Sequence, residues 1–329
     1  MLLPVCKLVC LGGFIISAVI SGDVNYPRGS ATAELNYRLK RPKLLAQGLN
    51  VLYHRFRTRL QDGPSGIDVI EEDWDNLLIL DACRYDTFEQ AYRERDSLKG
   101  DLRRVRSQAP YTNEFLSRNF GGRKLHDTVY VTSSPHVHKS NRGEVGEIDD
   151  DFHAIYHVWR QDFHPETLTD AAIDAVAAFP NKRLVFHYIP PHWPFFGSKG
   201  KELFGDCDYE APWEELTSGE ESVPLADLQA AYRENLNIAL DHVERLLPKL
   251  KGKTVITADH GQLLGDREYP IPVRGYGHPG LRVAELVEVP WLELPVERRR
   301  RIRSEPPETT DQTIDNEQSV KALKDLGYV

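Results

Sequence analysis

The chain has 329 residues, of which 40% are hydrophobic and 28% charged, enough to bury a full core; this excludes a stapled mini-fold, a disordered chain and a polytopic membrane protein. Its 41 basic and 50 acidic residues leave a net charge of −9, which argues against nucleic acid held by a global positive field. Four cysteines, Cys6, Cys10, Cys83 and Cys207, lack CxxC spacing and argue against a disulfide framework or a cysteine zinc site.

In chain order, Leu8 to Ile20 is an apolar run too short for an ordinary spanning helix and of signal-peptide length, so anchor, signal peptide and start-site artefact all stay open. From Leu35 to Leu60 there are seven basic residues, Arg38, Lys40, Arg41, Lys43, Arg55, Arg57 and Arg59, and no acidic one. The stretch Leu45 to Leu60 is expected to be a basic helix docking on the main domain through Leu49, Val51, Leu52 and Phe56, with membrane-surface contact as the alternative. If Leu8 to Ile20 were an anchor, the positive-inside rule would keep the domain in the cytoplasm, so a cytoplasmic or cytoplasmic-membrane-face location is expected over a secreted one.

Asn76 to Asp81 (NLLILD) is an apolar strand ending in a carboxylate, followed by a helical pattern from Asp86 to Arg95. Thr128 to Thr132 reads as a strand, Pro165 to Phe179 as a helix, Arg183 to Ile189 as a strand, Leu225 to Leu250 as a long amphipathic helix and Thr254 to Ala258 as a strand. This alternation predicts an α/β fold with a mostly parallel central sheet flanked by helices on both faces. A Rossmann cofactor domain is disfavoured, since ACRYD rather than a glycine turn follows the first strand. Gly197 to Val223 and Arg142 to His164 read as inserted loops, Ser304 to Glu317 as a linker and Ser319 to Leu326 as a short helix. The expected organisation is an apolar segment and linker (1–34), a basic helical arm (35–68), a catalytic domain (69–303) and a linker with C-terminal helix (304–329).

In such sheets, chemistry gathers beyond the carboxyl ends of the strands. Asp81 and Asp259-His260-Gly261 stand there, a donor set suited to a divalent cation, and Thr112 sits where a loop opens a helix. A turn for Asp259-His260-Gly261, a helix cap for Thr112 and a plain loop histidine for His192 are the competing structural readings. His153 and His157 have helical i, i+4 spacing without a further ligand near in sequence, and His136 and His138 read as loop residues near substrate.

NLLILDACRYD, the segment around Thr112, HYIPPHWPF, TVITADHGQLLGD, GYGHPG and the ending LKDLGYV together resemble the alkaline phosphatase superfamily in its sulfatase-like branch, including archaeal sulfatase-like proteins. That resemblance implies a divalent metal (Zn, Mn, Mg or Ca) bound by Asp81, Asp259, His260 and the nucleophile Thr112. It also implies catalytic or substrate-holding roles for His192 and His278, with Arg84 and His187 as substrate contacts. One metal is favoured, because His187 stands where two-metal relatives supply a carboxylate; two remain open. The CxPSR context of sulfatases proper is missing, so cleavage or transfer of a phosphate ester is expected over a sulfate ester. The substrate would be a small-molecule or glycan- or lipid-linked anionic ester, with no nucleic-acid partner. The alternative is a non-catalytic protein that binds an anionic glycan or lipid headgroup.

Overall fold

The computed structural model describes residues 36–59, 66–137, 152–205 and 211–307, so the stretches Leu8 to Ile20 and Ser319 to Leu326 lie outside the described residues. The chain runs α1 (Pro42–Arg59), β1 (Asn76–Leu80), α2 (Tyr85–Glu94), β2 (Asp101–Arg106), α3 (Thr112–Asn119), β3 (Leu125–Thr132), β4 (Phe152–His157), α4 (Pro165–Ala178), β5 (Arg183–Tyr188), α5 (Ser198–Phe204), α6 (Trp213–Ser218), α7 (Leu225–Leu246), β6 (Thr254–Thr257), β7 (Leu263–Glu268), β8 (Val273–Gly277), α8 (Ala284–Val287) and β9 (Glu288–Glu293). Among the described residues, no helix is long and apolar enough to cross a membrane.

Seven strands form one sheet in the order β2-β9-β6-β1-β5-β3-β4, parallel from β6 through β4, with β9 antiparallel to β6 and β2 antiparallel to β9. All five residues of β1 are buried, as a central strand covered on both faces requires. The two-residue pleat sends Leu78 and Leu80 to a core shared with Phe88 of α2, Leu168 of α4 and Leu236 and Leu240 of α7. Leu77 and Ile79 face the other way, onto Phe115 and Leu116 of α3 and the indole of Trp74. The expected sheet and its two helical layers are both present.

Several expectations change. Residues 152–157 within the stretch expected as a loop form edge strand β4, so His153 and His157 stand on a strand, where four residues span about 13 Å and helical chelation is out of reach. The stretch 197–223 contains α5 and α6 and packs Leu216 against Trp193, Phe195 and Tyr232, which makes part of it a small core rather than a bare loop. In α1, Val51 docks as expected, but Leu49 and Phe56 are exposed and Leu52 only half-buried. The docking face is instead half polar: Gln47 and Asn50 donate to the buried carboxylate of Glu268 on β7, and His54 Nε2 lies 3.1 Å from the Tyr269 carbonyl. Those partners lie in the hairpin β7–β8, whose pattern is not visible in the sequence periodicity, so the polar inward face of α1 is not legible from the helix alone.

Candidate metal centre

Four neighbouring strands, β6, β1, β5 and β3, deliver their carboxyl ends side by side. Asp81 follows β1, Asp259 and His260 follow β6, His187 lies in the last turn of the pleat in β5 with His192 just beyond it, and His136 follows β3. All six are at least 98% buried.

Ligand atoms of Asp81, Asp259 and His260 all lie within 4.8 Å of one another. His260 Nε2 is 3.5 Å from Asp81 Oδ1 and 3.4 Å from Asp259 Oδ2. His260 Nδ1 faces the Gly261 carbonyl at 2.8 Å, an acceptor, so the ring proton belongs on Nδ1 and the Nε2 lone pair points at the carboxylates. Asp81 Oδ1 and Asp259 Oδ2 have no hydrogen-bond partner, although each is buried. Two buried, unpartnered carboxylate oxygens converging with an imidazole lone pair are costly unless a cation sits among them, so the residues present fit a divalent metal.

Thr112 opens α3, and the position before it, Tyr111, takes the extended N-cap conformation. The Thr112 hydroxyl is turned into the cluster, 3.1 Å from His260 Nε2 and 3.5 Å from Asp81 Oδ2. The structure therefore brings together all four residues expected to hold the metal.

Local backbone geometry holds the carboxylates. Ala82 has φ of 57°, a left-handed value that is uncommon outside glycine, and it turns its N–H onto Asp259 Oδ1 at 3.0 Å. Its carbonyl accepts from Tyr232 Oη of α7 at 2.6 Å. Gly261 is required by close approach: a Cβ there would lie 2.1 Å from the Glu285 carbonyl oxygen of α8. Burial, reinforced by Asp259, pushes the Asp81 carboxyl well above the usual carboxylate range. Burial raises Asp259 too, but His260, His187 and the backbone N–H groups of Ala82 and His260 outweigh it and hold that carboxyl low.

Three further histidines surround this cluster. His192 Nδ1 donates to the Trp193 carbonyl at 2.6 Å, which leaves its Nε2 to accept from His278 Nε2 at 3.0 Å, and the His278 ring packs against that of His260, centroids 4.8 Å apart and planes tilted by 56°. Burial lowers His192 to about 4 and lowers His278 well below its ordinary value, with His260 and His192 adding to the latter. His187 lies closer to the carboxylates than a substrate contact would: Nε2 is 3.6 Å from Asp81 Oδ2 and 4.0 Å from Asp259 Oδ2, while Nδ1 meets Tyr130 Oη at 2.9 Å. Arg84, expected to touch substrate, is committed to Asp86 at 2.6 Å and Asp266 at 2.8 Å.

Sequence reasoning passed over Tyr130, Asn235 and the depth of His136. The last of these stands beyond a strand's carboxyl end like the others, and burial followed by the nearby His192 and His187 drives it to about 3. Asn235 of α7 reaches the loop carrying His192 from the middle of an amphipathic stripe, where nothing in the spacing marks it.

No family model and no curated protein matches the chain. Solved structures do. The soluble domain of lipooligosaccharide phosphoethanolamine transferase A from Neisseria meningitidis is 12% identical, with TM-score 0.43, covering 68% of this chain and 76% of that one. The C-terminal periplasmic domain of EptC from Escherichia coli, in complex with Zn, is 16% identical, with TM-score 0.44, covering 71% and 76%. A sulfatase candidate, yidJ, from Bacteroides fragilis is 13% identical, with TM-score 0.41, covering 75% and 71%. At these identities the likeness is one of fold alone.

Proposed function

We propose that residues 69–303 form a metal-dependent transferase or hydrolase of phosphate esters, with sulfate esters the lesser fit. The observation that carries this reading is the convergence of Asp81 Oδ1, Asp259 Oδ2, His260 Nε2 and the Thr112 hydroxyl in one buried pocket at the sheet's carboxyl edge. Asp81, Asp259 and His260, with Thr112, would hold the cation, which when bound favours the threonine alkoxide and polarises a phosphoryl oxygen. Thr112 Oγ1 attacks phosphorus in line, its proton passing to solvent or to a neighbouring carboxylate; the Oγ–P bond forms as the ester P–O bond breaks. His278 Nε2–H, turned from His192 to the substrate, donates to a phosphoryl or leaving oxygen, the leaving oxygen takes its proton from solvent, and His192, fixed by the Trp193 carbonyl, positions His278. Water or an acceptor hydroxyl then takes the phosphoryl group from Thr112. His187, fixed by Tyr130, serves as a positioning residue for the two aspartates.

The substrate class is an anionic ester, small or linked to lipid or glycan. With Leu8 to Ile20 as an anchor, the seven cations that follow it would hold the domain in the cytoplasm, at the membrane face. The test is metal analysis of purified protein together with cleavage of aryl phosphate mono- and diesters before and after chelation. One tightly bound Zn, Mn, Mg or Ca per chain and loss of cleavage on its removal are expected. Protein with no metal and no metal-stimulated cleavage would favour the non-catalytic binder of anionic headgroups instead.

A further inference from the structure

The first turn of α3 is held from outside the helix. Phe115, Leu116 and Asn119 bury its later turns, but Tyr111, the residue before Thr112, makes no side-chain cap. Thr112 therefore depends on its neighbours for where its hydroxyl points. Ser107 secures the start of the preceding loop by donating its Oγ to the Asp259 carbonyl. Arg282 secures the rest. Its Nη1 donates to the Gln108 carbonyl at 2.7 Å and its Nη2 to the Glu114 carboxylate, which also takes Arg118 Nε at 2.6 Å. One guanidinium thus grips the chain on both sides of Thr112.

That guanidinium stands on a rigid base. Arg282 follows Leu281, which is fully buried among Val51, Leu263, Leu286 and Val287. It belongs to the connection between β8 and α8 that also carries His278, whose carbonyl accepts the Gly280 N–H at 2.9 Å. The Arg282 side chain is 10% exposed and that of Glu114 19%, so the pair is shielded from the solvent screening that makes surface ion pairs weak. Its two donors diverge to a carbonyl and a carboxylate, which suits a flat guanidinium fork and not a single ammonium.

We propose that Arg282 is a positioning residue: it fastens the loop of His278 to both flanks of Thr112 and so sets Thr112 Oγ1 against His260 and Asp81. These two bonds go to the chain around Thr112 rather than to the side chains of Asp81, Asp259 and His260. Arg282 therefore acts on the threonine and leaves the other three donors in place. The inference rests on the reading of Thr112 as metal ligand and nucleophile.

The test loads the full chain with cobalt(II), whose visible absorption reports its ligands, and compares Thr112→Val, Arg282→Gln and the double variant. Thr112→Val should change the spectrum, Arg282→Gln should change it in the same way, and the double variant should match either single one. Glu114→Gln, which weakens the other end of the grip, should shift the spectrum in the same direction and serves if Arg282→Gln does not fold. With an aryl phosphate ester, Arg282→Gln should lower kcat about tenfold at little change in KM, and guanidinium ion below denaturing concentration should restore part of the turnover of Arg282→Ala. Folded Arg282→Gln or Glu114→Gln with an unchanged spectrum, where Thr112→Val changes it, would overturn the proposal and leave the reading of Thr112 standing. A chain that takes up no cobalt, or whose spectrum Thr112→Val leaves unchanged, would overturn that reading and this inference with it.

Discussion

Ala82 shows how the centre is assembled residue by residue. A left-handed alanine costs about 1–2 kcal/mol, and that strain aims its N–H at Asp259 Oδ1 and its carbonyl at Tyr232. Replacing Asp259 by Asn should remove both the bound metal and turnover. His278→Ala should leave one metal per chain while lowering turnover about 10–100-fold; two equivalents in the wild type falling to one in that variant, by elemental analysis, would contradict the one-metal reading. Tyr130→Phe leaves the ring of His187 without its Nδ1 partner and should weaken metal affinity about tenfold in a calorimetric titration, with the fold unchanged.

Buried neutral imidazoles also set an acid limit. In the folded chain burial, with neighbouring imidazoles adding at His136 and His192, lowers His187 and His192 to about 4 and His136 to about 3, whereas the unfolded chain protonates them near 6.5. Below 6.5 the unfolded state therefore binds more protons, so chelator-treated protein should lose stability progressively between pH 6.5 and 4, by about 1.4 kcal/mol per unit for each histidine. Urea midpoints across that range check this; a midpoint that is flat or rises on acidification would contradict the buried neutral state.

Among the elements, α7 positions the centre without joining it. Asn235 Nδ2 donates to the carbonyls of Pro191, His192 and Pro194, and its Oδ1 accepts from the Phe196 N–H, so one side chain holds the loop that carries His192. Asn235→Ala should cost about 3 kcal/mol through the carbonyls it leaves buried. It should also lower turnover by misplacing His192; denaturant melts and steady-state kinetics on the same variant separate the two effects. The central strands were legible because burial on both faces makes them apolar runs, and so NLLIL and TVIT announce themselves. Edge strand β2, with four of its six residues exposed and three arginines among them, carries no such signal, and the hairpin β7–β8 hides its pattern behind Gly265 and Gly275. Docking of α1 escaped for a related reason: its inward polar residues answer Glu268, a partner more than 200 positions away.

At the scale of the whole molecule, the strand order is what converts distant motifs into a site. Asp81, Thr112, His187 and Asp259 are spread over nearly 180 residues, and only the adjacency of β6, β1 and β5 makes them neighbours. The candidate metal ligands were readable because Asp81 and Asp259-His260 each follow an apolar strand, and Thr112 because a loop opens a helix there. Tyr130 and Asn235 were not, since each acts through contacts that the sequence does not order. In the proposed reaction Thr112 carries the transferred group in a metal-dependent step. Acid-quenching the metal-loaded chain during turnover of an aryl phosphate ester and mapping its peptides by mass spectrometry tests this directly. The expected result is a single phosphoryl group on Thr112, absent after chelation and absent in Asp259→Asn; ester cleavage that proceeds with Thr112 never modified, or equally well in Thr112→Val, would contradict it.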